Sequence, residues 1–175
     1  MLKALGADVR YVKRRDDLED LDGIVLPGGE STTIGMLLEE YEIAPVLRKG
    51  DLPIYGTCAG MILMADEIEG SDQPRLGVMR MAVRRNAFGR QRESFEEAID
   101  AAGVEGGPLR GVFIRAPFVT EVGPDVEVLG HVDGKIVLCR QGRFLASSFH
   151  PELTDDRRLH QYFLEKVVSG APHLA

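Results

Sequence analysis

Two cysteines in 175 residues, Cys58 and Cys139, are too few for a disulfide-stapled scaffold. With no Cys-x-x-Cys and no paired histidines, the chain also lacks the spacing of a metal site, and none is expected. Missing too is any apolar run long enough to cross a bilayer, and Met1-Leu2-Lys3-Ala4-Leu5-Gly6 does not have the apolar core of a signal peptide. A cytoplasmic protein without a membrane partner is therefore expected. Positive charge is in deficit: Lys and Arg number 21 against 28 Asp and Glu, for a formal net charge of −7. This argues against binding nucleic acid through its phosphates, which needs a basic face. Arg84, Arg85, Arg90 and Arg92 are a local exception. What remains is ordinary for one folded domain: 44% hydrophobic and 28% charged residues, with no repeat, low-complexity tract or linker to divide 1–175.

Against that background one pentapeptide stands out. Gly56-Thr57-Cys58-Ala59-Gly60 sets a cysteine between two glycines where an apolar strand, Leu52 to Tyr55, gives way to an apolar run beginning at Met61-Ile62-Leu63-Met64. A side chain at such a strand-to-helix turn projects from the backbone, and flanking glycines let neighbouring segments approach closely. At a helix N-terminus, free N–H groups and the helix dipole favour thiolate. The other reading of Cys58 is a small buried hydrophobe. Cys139, inside Ile136-Val137-Leu138-Cys139, is most simply core.

A base is available downstream. Ser147-Ser148-Phe149-His150-Pro151-Glu152 follows an apolar strand, Phe144-Leu145-Ala146. In a cysteine hydrolase an imidazole takes the thiol proton and returns it to the leaving amine, while a carboxylate fixes its tautomer. His150 and Glu152 suit those roles, since in an extended segment residues two apart share a face and Pro151 fixes φ between them. Alone, the tripeptide also reads as a capping histidine beside a solvated glutamate.

Along the chain, strand-like runs alternate with helical ones: Val9–Val12, Gly23–Leu26, a helix after Ser31, the strand before Cys58 and the helix after it. That order predicts parallel βαβ units. Later strands are predicted at Met79–Val83, Gly111–Ile114, Val126–Val132 and Lys135–Leu138, the last two joined by an Asp133-Gly134 hairpin turn. Leu159, Phe163, Leu164 and Val167 predict a closing helix over Arg157–Val168. Met1–Leu5 reads as the end of a helix closed by Gly6, with no strand before it, although a parallel sheet normally opens with one. The chain is accordingly expected to be N-terminally truncated.

Pro27-Gly28-Gly29-Glu30-Ser31-Thr32-Thr33 follows a strand and opens a helix, the setting of a backbone anion site. It has no Walker lysine, and Glu30 would repel phosphate. A ligand with both an ammonium and a carboxylate group, such as an amino acid, fits better. A tight turn with Ser31 as N-cap is the plainer reading.

Taken together, the Pro27–Thr33 loop, the Gly56–Gly60 elbow and Phe149-His150-Pro151-Glu152-Leu153 resemble class I glutamine amidotransferases. Arg85-Asn86-Ala87-Phe88-Gly89-Arg90-Gln91 and Val112-Phe113-Ile114-Arg115-Ala116-Pro117 resemble one branch of that family, the glutaminase subunits of pyridoxal 5'-phosphate synthase. The resemblance spans nearly the whole chain. It implies a three-layer α/β fold: a flavodoxin-like, mostly parallel sheet flanked by helices, with an antiparallel extension and here without its first strand. It implies hydrolysis of L-glutamine to glutamate and ammonia through a Cys58 thioester, with His150 as base and acid, Glu152 as orienter, and no cofactor. Gly29, Glu30 and Ser31 would hold the substrate, Glu30 pairing with its amino group, while Arg85, Ile114 and Arg115 line the rest of the pocket. The implied partner is a separate barrel-shaped synthase subunit that receives the ammonia. Family members begin with a strand and a Gln-Gly loop that contributes to the oxyanion hole, and this sequence has neither. The same elbow and base would also serve a cysteine peptidase, an amidotransferase of a purine, histidine or tryptophan pathway, or a catalytically silent docking subunit.

Overall fold

The structure is a computed structural model that describes residues 1–89 and 93–170; Arg90, Gln91 and Arg92 of the arginine-rich stretch, and residues 171–175, lie outside the described residues. After a 3-10 turn at Leu2–Leu5, closed by Gly6 at φ 87° as its sequence predicts, strand β1 (Ile24–Leu26) leads into helix α1 (Ser31–Glu40) and the short α2 (Ile43–Leu47). Strand β2 (Ile54–Thr57) follows, parallel to β1, and runs directly into α3 (Ala59–Met64). Next come β3 (Ala65–Ile68), β4 (Met79–Arg84), β5 (Ser94–Ile99), β6 (Leu109–Ile114), β7 (Phe118–Val122), β8 (Glu127–Val132), β9 (Lys135–Gln141) and β10 (Phe144–Ser147). Helix α4 (Arg158–Tyr162) continues as a π-helical stretch, Phe163–Val168, so that the predicted closing helix is present with a change of winding in its middle.

The main sheet has the order β1-β2-β10-β9-β7-β4-β3, with β8 also on β9; β5 and β6 form a separate antiparallel pair. It is mixed. Parallel pairing joins β1 to β2, β2 to β10 and β3 to β4, whereas the β10-β9, β9-β8, β9-β7 and β7-β4 ladders are antiparallel. The antiparallel extension thus occupies more of the sheet than the sequence pattern indicates.

Alternation along the strands sorts side chains into two cores, one on each face of the sheet. On β2, Ile54 packs with Leu38, Leu47, Met61 and Met64 beneath α1, α2 and α3, while Tyr55 turns the other way toward Phe149, Leu159 and Phe163 beneath α4. Ala146 and Leu145 of β10 repeat the division. Helices on both faces make the three layers expected. Fully burying a side chain such as Leu47 or Ile54 is worth about 1.5–3 kcal/mol over exposure, and this packing, not intrinsic propensity, is what holds a six-residue helix like α3 together.

Two local expectations change. Val9–Val12 forms no strand: β1 is the sheet's edge, and among the described residues no strand pairs with the segment in a ladder. Strands β3, β5 and β7 and helix α2 were not indicated by the apolar pattern. The Asp133-Gly134 hairpin is present, with φ of 49° and 73°, the paired positive values of a type I′ turn.

Candidate active site

The register of the sheet brings Cys58 and His150 together. Strands β2 and β10 are adjacent and parallel, Ser147 lying opposite Thr57, so both chains leave the sheet at the same end. The ladder extends one residue further: the Cys58 N–H donates to the Ser147 carbonyl at 2.8 Å. Three residues beyond β10, the His150 N–H donates to the Val112 carbonyl of β6, also at 2.8 Å. Strand β1 ends beside them and carries the Pro27–Glu30 loop. A crevice at the carboxyl ends of parallel strands is where open α/β sheets bind ligands.

Cys58 sits at φ 50° and ψ −105°, a sparsely populated conformation for a residue with a Cβ. Close packing enforces it. A Cβ on Gly60 would lie 2.2 Å from the Leu26 carbonyl oxygen, and one on Gly56 would lie 2.5 Å from the Gly60 backbone and the Met64 sulfur. Only glycines allow α3 to press against β1 and β2 this closely. The Cys58 side chain is buried, 8% exposed, but belongs to neither apolar cluster. Its sulfur is 3.9 Å from the Ile114 carbonyl, and its hydrogen bond to the His150 ring is the foremost cause raising that imidazole's pKa, from 6.5 to about 10. Glu152 adds to the rise against the opposing effect of partial burial. By contrast Cys139 is fully buried, and desolvation pushes its thiol up to about 12, as befits the core residue expected.

His150 Nδ1 lies 2.6 Å from Glu152 Oε1, which leaves Nε2 for the sulfur. Partial burial is the largest single influence on the Glu152 carboxyl and pushes it up, but the hydrogen bond from His150, a backbone N–H and the charges of His150 and His160 together outweigh it, and the net shift is downward. The ring also needs room: a Cβ on Gly28 would stand 2.5 Å from His150 Cε1, so the Pro27–Glu30 loop packs flat against the imidazole.

Glu30, not Ser31, is the N-cap of α1. Its Oε1 accepts the Thr32 N–H at 3.1 Å, and its Oε2 accepts the Thr33 N–H at 2.8 Å and the Thr33 hydroxyl at 2.7 Å. These bonds, the Thr33 hydroxyl foremost, hold its carboxyl down at about 2. A carboxylate offers about four lone-pair sites, so room for an ammonium group remains on Oε1. Ser31, buried, instead receives a hydrogen bond on its hydroxyl from Gln73 Nε2 at 2.9 Å. Gln73 Oε1 in turn accepts from Arg85 at 2.7 Å and from the Thr32 hydroxyl at 3.4 Å. Gly29 adopts φ 144° at the loop's apex. Ile114 is partly exposed beside the sulfur, and Arg115, at φ 43°, is pinned by its N–H to the Glu93 carbonyl at 2.6 Å. Among the described residues no group of three or more His, Cys, Asp and Glu is placed to hold a metal ion.

Behind the site lies a polar cluster that the sequence did not single out. The buried Tyr55 hydroxyl is 3.0 Å from the Ser147 hydroxyl, which donates to the Phe149 carbonyl at 3.3 Å, one residue before His150. The His160 ring meets Tyr55 edge-on at 5.5 Å, and desolvation lowers its pKa. No local pattern marks these residues or Gln73, since each acts through partners distant in sequence.

Residues 1–169 match the SNO glutamine amidotransferase family, and the chain belongs to it. Similar sequences include the pyridoxal 5'-phosphate synthase subunit PdxT of Carboxydothermus hydrogenoformans, 54% identical over 172 residues that cover 97% of this chain and 90% of the relative. The subunit of the same name from Pelotomaculum thermopropionicum is 56% identical over 171 residues, covering 96% of this chain and 87% of its own. A crystal structure described as a glutamine amidotransferase superposes with a TM-score of 0.91 at 53% identity, over 97% of this chain and 90% of that one. In the structure of this chain, no helix among the described residues is long and apolar enough to cross a membrane.

Proposed function

We propose that the chain hydrolyses the side-chain amide of L-glutamine and delivers the ammonia to the synthase subunit of a pyridoxal 5'-phosphate synthase. The reading rests on a single arrangement: a cysteine at a strained strand-to-helix turn, hydrogen-bonded to a histidine whose far nitrogen is 2.6 Å from a carboxylate. An imidazolium facing the sulfur favours a thiolate nucleophile. Cys58 attacks the amide carbon, and the developing oxyanion meets the N–H of Ala59, which as the first residue of a helix has no intrahelical acceptor. His150 gives its proton to the departing nitrogen as the carbon–nitrogen bond breaks, leaving a thioester and ammonia. It then takes a proton from water, whose hydroxide cleaves the thioester to glutamate and regenerates the thiol. Glu152 holds the ring's tautomer and balances its charge.

Substrate recognition follows from opposite charges at one end of the pocket, because the α-ammonium and α-carboxylate of glutamine share one carbon while its amide lies at the other end, beside Cys58. Glu30 meets the α-ammonium, Arg85 the α-carboxylate, and Gly29, Ser31, Ile114 and Arg115 border the remainder. Ammonia in water at neutral pH becomes ammonium, which is no nucleophile, so a docked partner that takes it directly makes chemical sense of a separate glutaminase subunit. A cytoplasmic setting accords with a site that needs Cys58 reduced. With the synthase present, Cys58→Ala and His150→Asn should each abolish glutamate release, and a diazo-ketone analogue of glutamine should label wild-type Cys58 stoichiometrically. Continued turnover in both variants excludes the mechanism.

A further inference from the structure

Gln73 belongs to none of the motifs that carry the chemistry, yet it joins two of them. It is buried, 8% exposed, in the segment between β3 and β4, and both ends of its amide are in use. The Nε2 group donates to Ser31 at the start of α1, and Oε1 accepts from Arg85 just past β4 and from Thr32. The segment is itself well anchored. The Leu76 N–H donates to the Leu63 carbonyl of α3 at 2.7 Å, and Arg75 Nε donates to the Asp66 carbonyl at 2.8 Å. On α1, a Cβ at Gly35 would stand 2.5 Å from the Pro74 carbonyl oxygen, so helix and segment are in direct contact one residue from Gln73.

A buried bridge of this kind must be both donor and acceptor, which an amide is and a carboxylate or an apolar side chain is not. Charge matters as much as shape. A glutamate here would hold Arg85 equally well but neutralise it, whereas the amide orients the guanidinium and leaves its charge unspent. We infer that Gln73 is a positioning residue for substrate recognition: it aims Arg85 and Ser31 into the pocket and keeps the arginine's charge available for the α-carboxylate of an amino-acid substrate. The inference rests on the glutaminase reading and extends it to a residue one step behind the pocket wall.

The test separates charge from packing. Glutaminase kinetics with the synthase present are measured for wild type, Gln73→Leu and Gln73→Glu, with alkylation of Cys58 by iodoacetamide and thermal unfolding followed in parallel. Both variants should raise KM for glutamine at least about tenfold with kcat within about twofold, the signature of lost ground-state binding. Gln73→Glu should be at least as impaired as Gln73→Leu, although it preserves more hydrogen bonding, and the iodoacetamide rate should be unchanged. In an Arg85→Ala background each substitution should raise KM by clearly less than it does alone, the remainder coming from Ser31. A KM for Gln73→Glu within twofold of wild type overturns the inference, as does undiminished additivity with Arg85→Ala. Should folding suffer, Gly35→Ala moves the same segment from the helix side, and an unchanged KM there also counts against it. Wild type that neither hydrolyses glutamine nor is labelled by its diazo-ketone analogue sinks the glutaminase reading itself, a result distinct from an active wild type with unaffected variants.

Discussion

The turn from β1 into α1 and the turn from β2 into α3 lie side by side in the sheet, yet they begin their helices in opposite ways. At the first, Glu30 in an extended conformation, φ −91° and ψ 110°, folds its carboxylate over the helix and satisfies the Thr32 and Thr33 N–H groups. At the second, Cys58 occupies the capping position at φ 50° and no side chain caps the helix. One terminus spends its donors on stability; its neighbour, in the proposed mechanism, leaves them for a transition state and accepts backbone strain to aim a sulfur. The difference lies in one side chain and in the glycines that let the second turn sit so tightly.

Breaking the second turn should have the largest effect. Gly60→Ala drives a methyl group to 2.2 Å from the Leu26 carbonyl, where only backbone movement relieves the clash. Overpacking of this kind costs about 1–3 kcal/mol, so the denaturant midpoint should fall and glutamate release should be lost with it. Glu152→Gln comes next, with kcat reduced on the order of a hundredfold or more through loss of the imidazolium's partner. It also shifts the pH profile. Glu152 helps raise His150 to about 10, so the folded-state interaction is complete below the free ring's 6.5 and fades as pH rises through about 10. Without the carboxylate the alkaline limb of kcat/KM should move to lower pH; an unmoved limb removes Glu152 from the mechanism.

Gly28→Ala probes the contact between the first turn and the ring that faces the second turn's cysteine, because its methyl group would displace His150. Misplacing a catalytic group by about 1 Å can cost on the order of a hundredfold in rate, and kcat should fall while the melting temperature barely changes. The smallest effect belongs to the first turn's cap. Glu30 is held at about 2, below its unfolded value of 4.5, so its stabilising bonds are present above pH 4.5 and are lost as pH falls through about 2. Melting curves of Glu30→Gln and wild type should differ at neutral pH and converge in strong acid.

The elbow was legible because its chemistry is local: an apolar strand, a cysteine between glycines and an apolar helix fall within a dozen residues. His150 and Glu152 were legible for the same reason, although only the β2-β10 register brings them to the sulfur. Val9–Val12 shows the limit of such reading, since β-branched residues favour a strand but only a neighbouring ladder makes one. In β5 the adjacent Glu96 and Glu97, which fall on opposite faces, break the apolar alternation and concealed a strand whose partner β6 supplies the context. Helix α2 starts from Glu42 at φ 57° and contains Pro45, both poor local signals for helix. Gln73 lies in Ser71-Asp72-Gln73-Pro74, which has the composition of a turn, and its worth lies entirely in contacts forty residues upstream and a dozen downstream.

The strand that leads to His150, β10, is the last among the described residues to be synthesised, and it lies in the sheet between β2 and β9 rather than at an edge. As the chain leaves the ribosome, the cysteine emerges several seconds before the histidine at ordinary elongation rates. Throughout that interval the thiol has no imidazole to activate it. In the proposed mechanism, a translation product interrupted before His150 therefore carries an idle sulfur instead of an unregulated hydrolase.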